Sequence, residues 1–331
     1  MTNTLCVDIG NYSVLSAVVK GRESTEVFKM RSLIYDCTHN SDCRNNAHPS
    51  DSPIIAVGGK IYKLGKGAKN YPGFLSAAEA GKSRTDVMLP ILLGNTPNGF
   101  EGLVKILVPA RDELSEKLIR SAVLGTHTYS TTVNSAVTES IANFTGVEFI
   151  RETDSAAKFA YEAGVISPSE VILTIDIGGG TCNYLVAAYE DDVFSVRFNK
   201  SLPNSGGIAL AQAISNTDAV KSHGRTFEIA KIMDAITEGK RYVSNRRDLS
   251  FEKVYGDCVE QWFEGLISRI MAATDKYLDE VTRIVWCGGG TEIIKDKLAN
   301  QPLHLVLENP QYANINGLIH SAKLPLMRLA A

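Results

Sequence analysis

Apolar and polar positions along this chain switch between two periods, and the switching lays out a series of strands and helices. Residues 5–9 and 171–177 are short, nearly unbroken apolar runs rich in β-branched side chains, the mark of strands covered on both faces. Each carries an acidic residue near its end and runs into a glycine bend. Second and third strand-like segments follow, joined by Lys20-Gly21-Arg22 in the first copy and Glu190-Asp191-Asp192 in the second. Further strands are predicted at 54–57, at 104–108 (stopped by Pro109) and at 283–287. Leu114, Leu118, Ile119, Ala122 and Val123 fall at helical spacing, and 155–163 is rich in helix formers up to Gly164. Gly206-Gly207 opens a helix over 208–214. The strongest helical face runs through Val259, Phe263, Leu266, Ile270, Thr274, Tyr277 and Val281. A last helix is predicted over 291–298, directly after Gly288-Gly289-Gly290, and then a polar tail.

The chain of 331 residues suits two domains. The expected division is 1–155 and 156–331, with inserted subdomains at about 31–85 and 206–260. The segment at about 318–331 is a candidate to return to the first domain. With 44% apolar and 21% charged residues the composition is globular, and a net charge of −3 offers no broad basic field for direct nucleic-acid binding. No apolar run reaches the length of a membrane span, and Met1-Thr2-Asn3-Thr4 leads straight into a core strand without a signal-peptide plan, so a cytoplasmic protein is expected. Cys6, Cys182, Cys258 and Cys287 read as reduced core residues. Cys37, His39, Cys43 and His48 include four potential zinc ligands at a spacing that matches no familiar finger. The surrounding Asn40, Asn45, Asn46, Pro49 and Ser50 fit a polar surface insertion, and the two readings stay open.

The paired bends carry the chemistry. An Asp at a strand end can hold a hydrated Mg²⁺, and glycines after it let backbone N–H groups turn toward phosphate oxygens. Asp8-Ile9-Gly10-Asn11 and Asp176-Ile177-Gly178-Gly179-Gly180-Thr181 are two copies of such a device. Duplication suggests a nucleotide held between two similar halves. Gly288-Gly289-Gly290 is expected to lie flat beneath a base or ribose, with the following helix offering N–H groups and a positive dipole end.

Three such loops in this order resemble the superfamily of actin, Hsp70 and the sugar kinases. Within it the chain is most similar to bacterial actin-like ATPases of the ParM/StbA plasmid-segregation type. Arg151-Glu152-Thr153-Asp154-Ser155-Ala156 resembles that family's connecting motif, although Thr-Asp departs from the usual pair. Trp286-Cys287-Gly288-Gly289-Gly290-Thr291 resembles its adenosine motif, and 309–317 (Asn-Pro-Gln-Tyr-Ala-Asn-Ile-Asn-Gly) resembles its tail. The resemblance implies an α/β actin-like fold: two duplicated domains, each with a mixed five-stranded sheet flanked by helices, plus small inserted subdomains. It implies ATP (or GTP) with Mg²⁺ as cofactors, and filaments turned over by ATP hydrolysis. Its partners would be further copies of the chain and a DNA-binding adaptor on a plasmid site, with no membrane. The catalytic pair implied is Glu152, orienting the attacking water, and Asp176, which with Asp8 also forms the metal set. Nucleotide contacts fall to Asp8, Gly10, Asn11, Tyr12, Gly178, Gly179, Gly180, Thr181, Gly288, Gly289, Gly290 and Thr291. Glu238, Lys240 and Arg241 would flank the ribose or purine. A small-molecule kinase, with a base such as Asp154, and a membrane-linked shape or division actin are the alternatives. The latter lacks an N-terminal amphipathic anchor, and 323–331 is short and interrupted by Pro325.

Overall fold

The computed structural model describes residues 3–45, 49–76, 85–191, 193–224 and 227–328. The chain forms two compact units, one made of Met1–Phe159 with Asn314–Ala331 and the other of Ala160–Ala313.

The first unit contains β1 (Asn3–Ile9), β2 (Ser13–Lys20), β3 (Glu23–Ser24), β4 (Phe28–Arg31), β5 (Leu33–Asp36), α1 (Ser41–Asn45), β6 (Ile54–Val57), β7 (Lys60–Leu64) and β8 (Leu75–Ser76). After these come α2 (Thr85–Gly94), β9 (Phe100–Val108), α3 (Glu113–Val123), β10 (Gly125–Val133), β11 (Ala136–Arg151) and α4 (Glu152–Glu162). The strands form one sheet of eleven in the order β3-β2-β1-β9-β11-β10-β6-β7-β5-β8, with β4 also paired to β2. The sheet's first five strands are mixed: β3, β2 and β1 antiparallel, then β9 and β11 parallel to β1. One face of β1 and β2 buries Val7, Ile9 and Val14 in a core shared with Val87, Ile91, Leu92, Ile119 and Val123 of α2 and α3.

The second unit contains β12 (Ile172–Ile177), β13 (Thr181–Glu190), β14 (Val193–Pro203), α5 (Gly207–Ser215), α6 (Asp218–Lys221), α7 (Ile229–Thr237), α8 (Glu252–Thr274), β15 (Arg283–Cys287), α9 (Lys295–Leu298) and β16 (His304–Val306). Its sheet is β14-β13-β12-β15-β16, antiparallel through β12 and parallel beyond it. That is the pairing pattern of the first unit's leading five strands, so the duplication read from the two apolar runs extends to sheet topology. Every residue of β12 is buried, Thr174 and Asp176 included, so both faces of the strand are covered. Finally α10 (Ala313–Arg328) packs in the first unit, where Ser155 Oγ donates to the Asn314 carbonyl at 2.9 Å. A Cβ at Gly317 would lie 2.2 Å from the Ser155 carbonyl oxygen, so only glycine lets these helices approach so closely.

Several expectations need correction. The first unit's sheet does not stop at five strands. The sixteen-residue β11 pairs with β9 through its second half and with β10 through its first, so the inserted strands continue the core sheet. Residues 125–151 form the hairpin β10–β11, which turns at Asn134 and Ser135, both with positive φ. Residues 313–328 are a helix with Ile315 and Leu318 fully buried, not a polar tail. The strong helix α8 begins at Glu252 and gives way at Asp275 to a 3-10 turn. Cys37 and Cys43 are joined as a disulfide, which removes both thiolates from a zinc set, and His48 lies outside the described residues. Among the described residues no helix is long and apolar enough to cross a membrane.

Candidate functional site

Asp8 lies in β1 one residue before the strand ends, and Gly10 opens the bend into β2 with its N–H donating to the Ser13 carbonyl at 3.0 Å. In the second unit Gly178 N–H donates to the Thr181 carbonyl at 2.9 Å, two residues after Asp176. The same one-turn closure therefore follows the same acidic position in each unit. A Cβ at Gly10 would stand 3.1 Å from the Ser13 oxygen, and one at Gly178 3.2 Å from that of Thr181, so both turns are tightest with glycine.

The second loop is oriented by what lies beneath it. The Gly178 carbonyl accepts from Gly207 N–H at 3.1 Å, and the Gly179 carbonyl accepts from Ile208 N–H at 2.8 Å. Both donors belong to the first turn of α5, whose N–H groups have no partner within the helix. Because a trans peptide points its N–H opposite its carbonyl, the N–H groups of Gly179 and Gly180 face away from α5. The loop thus offers amides on the side where an anion would sit. Gly206 makes this possible: a Cβ there would lie 2.3 Å from the Gly178 oxygen and 2.6 Å from that of Gly179. Sequence reasoning noted Gly206 only as a helix opener, and its signal was the doubled glycine before an apolar helical run. In the first unit the Tyr12 carbonyl accepts from Ser32 N–H at 3.1 Å and the Asn11 carbonyl from Ser76 Oγ at 3.3 Å.

Asp176 is only 2% exposed, at the end of β12 and in register with Cys287 of β15. Burial beside this carboxylate pushes the Cys182 thiol upward, desolvation being the larger cause, so Cys182 stays protonated. Glu152 is the first residue of α4 and is buried, directly after Arg151 closes β11. Arg151 Nε donates to Asp154 Oδ2 at 2.8 Å. Burial nevertheless raises the Asp154 carboxyl above the usual range, with Arg151 opposing it. Asp154, named as a base for the kinase alternative, is held in an ion pair.

The third glycine loop departs from expectation. A Cβ at Gly288 would lie 2.2 Å from Asp176 Oδ1 and 2.5 Å from the Ile177 carbonyl oxygen, and Gly288 has φ +83°. A Cβ at Gly290 would lie 2.3 Å from Ile177 Cγ2. Gly288 and Gly290 are thus glycines for the sake of β12, and only Gly289 is exposed. The helix expected over 291–298 is a 3-10 turn (Gly289–Ile293) followed by the four-residue α9, too short to sum a useful dipole. Thr291 is fully buried, and its hydroxyl donates to the Cys287 carbonyl at 2.5 Å. Its side chain serves the turn.

Glu238, Lys240 and Arg241 follow α7. Lys240 Nζ meets Glu238 Oε2 at 2.6 Å in an exposed pair, while the Arg241 guanidinium stacks 3.7 Å above the Tyr255 ring. Trp286 is fully buried beside the loop, donating from Nε1 to His304 Nδ1 at 3.1 Å. Among the described residues no group of three or more His, Cys, Asp or Glu is placed to hold a metal. The carboxylates of Asp8 and Asp176 are therefore metal candidates only as partners of a hydrated ion, which suits hard oxygen donors.

Residues 174–300 match the family described as "Archaeal actin homologue MreB-like, C-terminal". No curated protein matches the sequence. Among solved structures, the archaeal actin homologue Ta0583 matches with a TM-score of 0.77 at 17% identity, over 98% of this chain and 100% of its own. Its complex with ADP matches with a TM-score of 0.77 at 16% identity and the same coverage. The 15-stranded ParM filament from Clostridium botulinum matches with a TM-score of 0.75 at 17% identity, over 98% of this chain and 99% of the other. The fold is actin-like, as the resemblance implied.

Proposed function

We propose that this actin-like chain is an ATPase that polymerises into nucleotide-dependent filaments and segregates plasmid DNA through an adaptor protein. The observation that carries the nucleotide reading is the repeated acidic strand end and glycine turn, with the second turn's carbonyls tied down so that its amides face outward. The likeness to a ParM filament supports polymerisation, and the likeness to an ADP complex supports an adenine nucleotide.

In this reading Gly10, Asn11 and Tyr12 contact phosphate from the first unit, and Gly178, Gly179, Gly180 and Thr181 from the second. Preorganised amides stabilise charge on the transferred phosphoryl group without reorganising during the reaction. Asp8 and Asp176 would hold Mg²⁺ through its waters, and the ion would neutralise phosphate charge. Gly288 packs so closely on Asp176 that a Cβ there would meet its Oδ1 at 2.2 Å, which holds the carboxylate in place. Glu152 orients the attacking water. Gly289 is the exposed member of its loop and in this reading faces a base or ribose, flanked by Glu238, Lys240 and Arg241.

Right-angle light scattering and electron microscopy at micromolar protein test the proposal, with Mg-ATP, Mg-ADP and no nucleotide. Polymer with Mg-ATP that decays as phosphate is released is the expected result. Phosphate release without polymer across a range of salt would refute the filament reading. A rise in ADP production with a sugar or acid acceptor would favour a kinase instead.

A further inference from the structure

Strand register places two cations beside the first phosphate loop that the motifs did not single out. Asp8 pairs with Leu15 across β1 and β2, and Leu15 pairs with Lys29 across β2 and β4. Directly opposed residues share a sheet face, so Asp8 and Lys29 stand in one row, about 10 Å apart at two strand spacings. Ser13, at the end of the glycine turn, pairs with Arg31 in the next row on the same face. Val14 and Met30 point the other way, into the core. Arg31 is held in place: its guanidinium carbon lies 3.5 Å above the ring of Tyr12, a residue of the loop itself. Its neighbour Ser32 fixes the Tyr12 carbonyl at 3.1 Å.

We propose that Lys29 and Arg31 are an anion-binding pair for the polyphosphate chain of the bound nucleotide, and that they favour triphosphate over diphosphate. This rests on the nucleotide reading above. Two cations two residues apart on one strand face make the edge beside the loop locally positive, a field that favours an anion there. Partial burial, with Arg31 second, already lowers the Lys29 ammonium below the usual range. Stacking on Tyr12 restricts Arg31 before the ligand arrives, so less side-chain entropy is lost on binding. Selectivity follows from Coulomb's law: Mg-bound triphosphate carries roughly twice the net charge of Mg-bound diphosphate, and its attraction to fixed cations scales with that charge.

Calorimetric titration of the full chain with Mg-ATP and with Mg-ADP tests this, using wild type, Lys29→Met, Arg31→Met and Arg31→Lys. Each neutral variant is expected to bind Mg-ATP about 10-fold more weakly, with a smaller loss for Mg-ADP. Arg31→Lys, which keeps the charge but loses the stack on Tyr12, should recover part of the Mg-ATP affinity, which a purely structural role for the guanidinium would not allow. The proposal is overturned if the neutral variants bind both nucleotides like wild type. It is also overturned if they lose both equally with no recovery in Arg31→Lys. Should Arg31→Met fail to fold, Lys29→Met decides alone by the same comparison. Wild type that binds neither nucleotide would sink the nucleotide reading itself, a result distinct from loss of selectivity.

Discussion

Replacing Gly288 with alanine should be the most damaging single-methyl change in the second unit, while the same change one residue later should be nearly silent. At Gly288 the new Cβ would lie 2.2 Å from a carboxylate oxygen of Asp176 and 2.5 Å from a backbone oxygen, on a residue with φ +83°. A left-handed conformation costs an L-residue about 1–2 kcal/mol, and forcing atoms into filled space costs about 1–3 kcal/mol more. The sum is about 2–5 kcal/mol, a large share of a typical domain's stability. For a unit of this size it lowers the melting temperature by on the order of 5–15 °C. At Gly289 the nearest atom to a Cβ is Gln311 Nε2 at 3.7 Å, an ordinary contact, and φ is not positive. Gly289→Ala should stay within about 1 kcal/mol of wild type. Urea unfolding followed by circular dichroism gives both values. Equal midpoints for the two variants would show that Gly288 is not holding Asp176 and Ile177 at close quarters.

Other outcomes follow from the same geometry. Gly206→Ala pushes a methyl to 2.3 Å from the Gly178 oxygen, so Mg-ATP affinity by calorimetry should fall 10-fold or more; unchanged affinity would separate the loop's shape from nucleotide binding. Glu152→Gln keeps the buried shape but removes the charge. Phosphate release should slow by about 10²-fold while nucleotide binding persists, and an unaltered rate would dismiss Glu152 as the water-orienting group. Lys63 donates to the Ser52 carbonyl at 2.7 Å, and burial, opposed by Asp51, brings its ammonium down to about 8 from 10.5. Between those values the unfolded chain binds more protons than the folded one, so stability should rise as pH increases from about 8 to 10.5. The cost of the buried charge is in full force below pH 8. Urea midpoints across this range should rise in wild type and stay flat in Lys63→Met; parallel profiles would refute the assignment.

The strands at 54–57 and 283–287 were legible because turn formers bracket short β-branched runs, and their observed limits coincide with the reading. The paired turns at Gly10 and Gly178 were legible for a related reason: a closure across four residues is local chemistry. What escaped depends on distant partners. Nothing in the order Gly288-Gly289-Gly290 says that the first and third are constrained by Ile177, because that contact spans over a hundred positions of chain. Thr291 looked like a ligand hydroxyl and is spent on the backbone of Cys287. Arg31 carries no motif, and it comes beside the phosphate loop only through the β2–β4 register. α2 was missed because Pro90 lies inside it, where a proline ordinarily argues against a helix.

The shared strand β11 makes the two inserts mechanically unlike. In the first unit the inserted strands join the core through continuous ladders from β6 through β10, β11 and β9 to β1. Swinging them against the core would break rows of backbone hydrogen bonds, so insert and core travel as one stiff plate with no joint between them. A push at β6 is therefore delivered to the strand that carries Asp8. In the second unit the corresponding stretch is carried by α5 to α8, with side-chain packing and the single bridge Tyr242–Ser250 among the described residues. Packed helices slide at small cost where paired strands cannot. The first unit's insert is thus locked to its own core, while the second unit's insert keeps compliance of its own.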